Sequence, residues 1–126
     1  MNTFTPANAL EVALAQARSG ELPIAQLIPI LLESNVAVPS AGEVLATGAG
    51  FQPLLFDKGG VQMLGCFTDK ARFGDFISMT PFCLEIKGRE LLRRLPPNCG
   101  LVVNPGIDVG FELSPDGVRN ILRDFA

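Results

Sequence analysis

Gly100-Leu101-Val102-Val103-Asn104-Pro105-Gly106, then Gly110-Phe111-Glu112-Leu113-Ser114-Pro115, is the stretch that decides the fold. Leu101, Val102 and Val103 form a short apolar run of the kind that fills a buried strand. Asn104-Pro105-Gly106 is turn chemistry: Asn bonds its own backbone, Pro fixes φ, and Gly takes positive φ at no steric cost. Phe111-Glu112-Leu113 returns as a second strand, and Ser114-Pro115 opens a helix with a capping hydroxyl and Pro at the first helical position. Val118, Ile121, Leu122 and Phe125 are that helix's apolar stripe. Just upstream, 88–95 reads as a short helix with Leu91, Leu92 and Leu95 on one face, stopped by Pro96-Pro97.

Working outward, Pro53-Leu54-Leu55-Phe56, Asp57-Lys58-Gly59-Gly60 and Val61-Gln62-Met63-Leu64-Gly65-Cys66-Phe67 form a hairpin, the glycine pair supplying its positive-φ positions. Thr68-Asp69 caps a short helix carrying Lys70, Ala71, Phe73 and Phe76, and Phe82-Cys83-Leu84-Glu85-Ile86 alternates as a strand. Phe67, Phe73, Phe76 and Phe82 are expected in the core. Val36-Ala37-Val38-Pro39 is a short strand that Pro39 closes or marks as an edge. Residues 40–50 are loop.

Thr5-Pro6 starts the first helix, with Leu10, Val12, Ala13, Leu14 and Ala17 at helical spacing and Gly20 as its stop. Glu11, Gln16 and Arg18 are assigned to its wet face. In a second helix over 23–34, Ile24, Leu27, Ile28, Ile30, Leu31 and Leu32 leave almost no polar face, and Pro29 is expected to kink or split it. A helix apolar all round is either central or covered by a partner. Both stay open, and Ile24, Leu27, Ile28 and Leu31 are the candidate interface.

These elements predict one α+β domain over 1–126. Its sheet is mainly antiparallel or mixed, of about five strands, with helices at both ends and in the connections; regular βαβ alternation is missing.

Charged residues are 18% of the chain, below the ~25% of ordinary soluble domains, so apolar surface is in surplus. A self-association or partner surface would use it. The net charge is −3, which leaves no basic excess to neutralise phosphates and excludes nucleic acid as a partner. Charge-free runs such as 44–56 are too short to span a bilayer, so membrane insertion is not expected. An odd cysteine count and a start without a basic segment point to a reducing, cytoplasmic setting.

The chain has no His and no Tyr. Acid–base work would fall to Asp, Glu, Lys or Cys. Cys66 and Cys83 lie in apolar strand patterns, which leaves Cys99 as the one expected exposed thiol. No Cys-x-x-Cys occurs, so no metal site and no cofactor is implied. The acid pairs Asp69 with Asp75 and Asp108 with Glu112 have the look of solvated surface charge. Lys87, Arg89, Arg93 and Arg94 are the densest basic cluster, best read as a solvated helix face and otherwise as a patch for an acidic partner. Thr68 and Asp69, with Asn104, Pro105, Gly106 and Phe111, are the candidate interaction or ligand-binding residues, since loops set on rigid strands carry binding contacts.

Leu10-Glu11-Val12-Ala13-Leu14, Val36-Ala37-Val38-Pro39, Pro53-Leu54-Leu55-Phe56, Cys66-Phe67-Thr68-Asp69, Leu91-Leu92 with Leu95-Pro96, 101–106 and 110–113 occur in an order and spacing that carry a resemblance. From 10 to 125 the chain resembles the N-terminal domain of the SseB family, named for bacterial enhanced-serine-sensitivity proteins. The resemblance implies a small bacterial α+β domain with no established enzyme activity. The expected function is therefore non-enzymatic: a protein-interaction or self-associating module with a homo-oligomer or protein partner. The alternative is a regulatory domain that binds a small, amino-acid-like ligand, whose identity the sequence leaves unknown.

Overall fold

The computed structural model describes residues 5–47, 49–74, 78, 80–107 and 109–125. The first helix, α1 (Ala9–Arg18), begins later than the Thr5-Pro6 signal, because the Asn8 side chain accepts a bond from the Glu11 N–H and takes the cap. The second, α2 (Ile24–Glu33), runs unbroken through Pro29. The bond that Pro29 forfeits is the one to the carbonyl of Ala25, a residue on the exposed side of the helix.

Two sheets follow. In the first, β1 (Asn35–Ser40) pairs antiparallel with β4 (Phe82–Lys87), Val36 opposite Ile86 and Val38 opposite Leu84. In the second, β2 (Leu55–Lys58) and β3 (Val61–Cys66) make the expected hairpin, with Gly59 and Gly60 at φ 62° and 88°. β3 then runs parallel to β5 (Gly100–Val103), and β5 pairs antiparallel with β6 (Phe111–Leu113), giving the order β2-β3-β5-β6. The described residues thus hold six strands in two sheets where about five in one were expected. The split follows from the chain beyond Cys66. Phe67 leaves β5 and exchanges both backbone bonds with Ala37, each at 2.8 Å, which stitches the sheets together.

The helix α3 (Gly88–Arg93) leaves β4 directly, and α4 (Pro115–Phe125) closes the fold with Ser114 Oγ accepting the Gly117 N–H at 3.0 Å. The core gathers Leu10 and Leu14 of α1, the inner face of α2, Val36, Val38, Leu64, Leu91, Leu92, Leu101, Val103, Val118 and Ile121.

Two expectations are corrected by this core. Leu27, Ile28 and Leu31 are only 1%, 4% and 1% exposed inside the chain's own core and are not a subunit interface. Of the four candidates Ile24 alone faces solvent, at 59%. The second correction concerns the phenylalanines. Phe67 and Phe73 are buried with ring centroids 5.1 Å apart, whereas Phe82 stands 39% exposed at the start of an edge strand; Phe76 lies outside the described residues. No helix of the described residues is long and apolar enough to cross a membrane.

Candidate functional site

Where the two sheets meet, the ends of β3 and β5 bring Thr68 and Asn104 together. Asn104 has left-handed backbone, φ 58°, which Asn tolerates better than other side chains. Its N–H reaches the Cys66 carbonyl at 2.8 Å, and its Oδ1 accepts the Thr68 N–H at 3.0 Å. Its Nδ2 donates to the Val109 carbonyl at 2.9 Å and to Thr68 Oγ1 at 3.1 Å. Ile107 N–H closes the turn onto the Asn104 carbonyl at 3.1 Å, with Gly106 at φ 78°. Pro105 and Gly106 therefore act as turn residues, as the sequence predicts.

Thr68 passes this network to a buried charge. Its hydroxyl donates to Glu11 Oε2, and its carbonyl accepts Asn8 Nδ2 at 2.9 Å. Glu11, expected on the wet face of α1, is fully buried. Arg72 donates Nε to Oε2 at 2.9 Å and Nη2 to Oε1 at 2.8 Å, and the Ala7 N–H adds a bond at 2.7 Å. Burial alone pushes the Glu11 carboxyl up. Hydrogen bonds from Arg72, Thr68 and Ala7, with the Arg72 charge, outweigh it and hold the carboxyl at about 2, below an ordinary 4.5.

Asn8-x-x-Glu11 is the signal that could have found this residue. It is a capping-box spacing, in which the acid three residues past the cap turns back to the chain entering the helix. Arg72 stands on a single 3₁₀ turn, Lys70–Arg72, whose cap is Asp69: its Oδ1 accepts the Ala71 N–H at 2.9 Å. This is the short helix expected after Thr68-Asp69.

The candidate residues line two separate hollows. One, of about 370 Å³, has Thr68, Asp69, Lys70, Asn35 and Glu85 around a floor that includes Leu10 and Val36. Neither the Lys70 ammonium nor the Glu85 carboxylate makes a hydrogen bond or ion pair among the described residues. The other, of about 260 Å³, is lined by Asn104, Pro105, Gly106 and Phe111. Thr68 and Asn104 touch, yet no residue is shared by the two hollows, so the six candidates do not form one pocket. A third hollow of about 350 Å³ runs along β4, walled mainly by Leu45, Phe51, Leu64, Leu84, Ile86 and Leu91. The sequence offered no sign of it, because residues 40–50 carry no periodicity.

The thiols are distributed otherwise than expected. Cys83 is the exposed one, on the outer strand β4, while Cys66 and Cys99 are buried. Cys99 follows Pro96-Pro97 into the core below α4 instead of staying in an open turn. Burial pushes the Cys66 thiol up to about 12. Each member of the basic cluster is paired within the chain: Arg89 and Lys87 share Glu33, and Arg93 and Arg94 share Glu90. Of the acid pairs, Asp75 and Asp108 lie outside the described residues; Asp69 serves as a cap and Glu112 pairs with Lys58. No group of three or more potential metal ligands gathers among the described residues.

An antiparallel and a mixed sheet, helices on their flanks and a buried polar knot at the sheet junction define a small α+β domain. The model of the SseB protein N-terminal domain matches residues 10–120, and the chain belongs to that family. No curated protein and no solved structure matches it.

Proposed function

We propose that this chain is a non-enzymatic module that works by protein association, with itself or with another chain. The observation that carries this function is the outer side of β4. Among the described residues β4 pairs with β1 alone, Phe82 stands exposed at its head, and the apolar hollow along Leu84 and Ile86 lies beside it. Free strand edges and apolar troughs are the two features by which extended protein segments are bound. The chemistry of the polar knot supports the non-enzymatic half. A carboxylate held at about 2 by an arginine is a poor base at neutral pH, and its oxygens are already occupied. Family membership and three unpaired cysteines support a bacterial cytoplasmic setting.

Light scattering coupled to size exclusion over a concentration series tests the self-associating form. Mass rising above the monomer supports it, and a strict monomer throughout overturns it.

One observation favours a second function, a regulatory domain for an amino-acid-like ligand. In the hollow beside Thr68 and Asp69, Lys70 and Glu85 offer unpaired charges of opposite sign to a dipolar molecule, and its volume suits a small ligand. A thermal-shift panel of free amino acids tests it; no shift with any of them removes this ligand class.

A further inference from the structure

The backbone of β4 shows which of its groups are free. Ala37 spends both its N–H and its C=O on Phe67, so its backbone points away from β4. Ala37 lies opposite Glu85, and antiparallel pairs alternate between bonded and non-bonded, so Glu85 turns its own N–H and C=O outward. The same alternation turns Cys83 and Lys87 outward. The Gly88 N–H, bonded to the Ser34 carbonyl at 2.9 Å, confirms the phase, since even-numbered residues face β1.

We propose that two copies of this chain join edge to edge through β4, antiparallel, about a two-fold axis at Leu84. The proposal rests on self-association as the function and names the surface that performs it. A two-fold perpendicular to the sheet sets residues of the same face opposite each other, which allows centres only at single residues. Centres at Cys83 or Ile86 overlap only the ends of the strand. A centre at Glu85 overlaps more but sets two carboxylates directly opposite, which is destabilising.

The Leu84 centre keeps the long overlap without that conflict. Leu84 meets Leu84 of the second copy, Phe82 meets its Ile86, and Cys83 and Glu85 meet as hydrogen-bonded pairs. The exposed Phe82 ring of one copy then lies along Ile86 of the other, at the wall of the apolar hollow. Exposed aromatic surface and unpaired backbone are covered in one step.

The Glu85→Cys variant of the full chain tests the register. It places the new thiol opposite Cys83 of the second copy, at the ~5.5 Å Cα separation of a hydrogen-bonded pair and within disulfide reach. Mild oxidation should convert most of this variant to a covalent dimer. The unaltered chain should not cross-link, because Cys83 and Cys83 of the second copy sit diagonally, roughly 7–8 Å apart. Glu85→Pro is the second variant. It deletes an N–H that bonds nothing within the chain, and it should raise the dimer dissociation constant by about tenfold or more, a loss of ~1.4 kcal/mol. Phe82→Asp should do the same through the apolar face, should Glu85→Pro fail to fold. A dimer by light scattering that neither cross-links through Glu85→Cys nor weakens with Glu85→Pro or Phe82→Asp overturns the β4 surface and leaves self-association standing. A monomer at every concentration overturns both.

Discussion

Arg72 holds Glu11 by both carboxylate oxygens, Nε 2.9 Å from Oε2 and Nη2 2.8 Å from Oε1, across 61 residues of sequence. The two ends of this pair are unequal. Glu11 is sealed from solvent, whereas the Arg72 side chain keeps 25% of its surface in water. Removing Arg72 therefore strands a buried anion, while removing the Glu11 charge leaves a cation that can rehydrate. Arg72→Met should cost about 3–5 kcal/mol at neutral pH, and Glu11→Gln about 1–3 kcal/mol. Urea denaturation of both variants checks the order. Equal costs, or the reverse order, would show that the pair is not anchored as the geometry requires.

The same carboxyl sets an acid limit. Its folded value of about 2 lies below the ordinary 4.5, so its contribution is complete above pH 4.5 and is lost as pH falls toward 2. The contribution amounts to about 3 kcal/mol by linkage. In Arg72→Met the lowering by Arg72 is gone while burial still raises the carboxyl, so Glu11 takes up its proton at a higher pH and this variant's deficit should shrink as pH falls. Stability against pH from 7 to 2, for the unaltered chain and the variant, should give curves that converge. Parallel curves would refute the assignment.

Asn104 combines a left-handed backbone with five hydrogen bonds, three through its side chain and two through its main chain. Asn104→Gly keeps the backbone at ease but leaves the Thr68 N–H and the Val109 carbonyl without it. The expected cost is about 2–3 kcal/mol. Asn104→Ala should cost a further ~1 kcal/mol for the positive φ. A ranking with Ala the milder would mean that the bonds, and not the backbone, carry the whole effect.

Legibility in the sequence tracked the distance between partners. The 104–106 turn, the Gly59-Gly60 hairpin and the Ser114-Pro115 cap are decided by neighbouring residues, and each appears where the sequence places it. Glu11 was hidden because its partner stands on a 3₁₀ turn far along the chain, and a charge beside the apolar stripe normally faces water. The parallel pairing of Met63 with Gly100 was hidden because its crossover consists of a strand and a helix that serve other neighbours. The uniform apolarity of α2 was readable, but which neighbour covers Leu27 and Leu31 is settled by tertiary packing alone. Thr68 and Asn104 were legible as loop residues at strand ends; that they bond to each other was not.

Gly88 and Gly106 separate two reasons for glycine. At Gly106, φ is 78° and the space beside it is open, so Gly106→Ala meets only backbone strain, about 1–2 kcal/mol. At Gly88 an added Cβ would come 2.1 Å from the Leu31 carbonyl oxygen, which is fixed in α2. Gly88→Ala must push α2 away from the start of α3, at about 3 kcal/mol. Thermal unfolding of the pair should show a clearly larger fall in Tm for Gly88→Ala. A fall no greater than that of Gly106→Ala would place α2 and α3 further apart than described.

Cys83 should be the one thiol that alkylates in the folded chain at low protein concentration, because it alone of the three is exposed. Cys66, pushed up to about 12 by burial, has almost no thiolate at pH 8 and no access for reagent. Cys99 is shielded in the same way. Partial burial, and then the Glu85 charge, raises the Cys83 thiol above its ordinary 9.0 against a smaller opposing pull from Lys70. Only the thiolate reacts, so the labelling rate should keep climbing with pH from 7 to 9 without reaching a plateau. Intact-mass spectrometry after iodoacetamide should find one adduct on the native chain and three in guanidinium. A native adduct that maps to Cys99 would return that residue to the open turn from which the fold removes it.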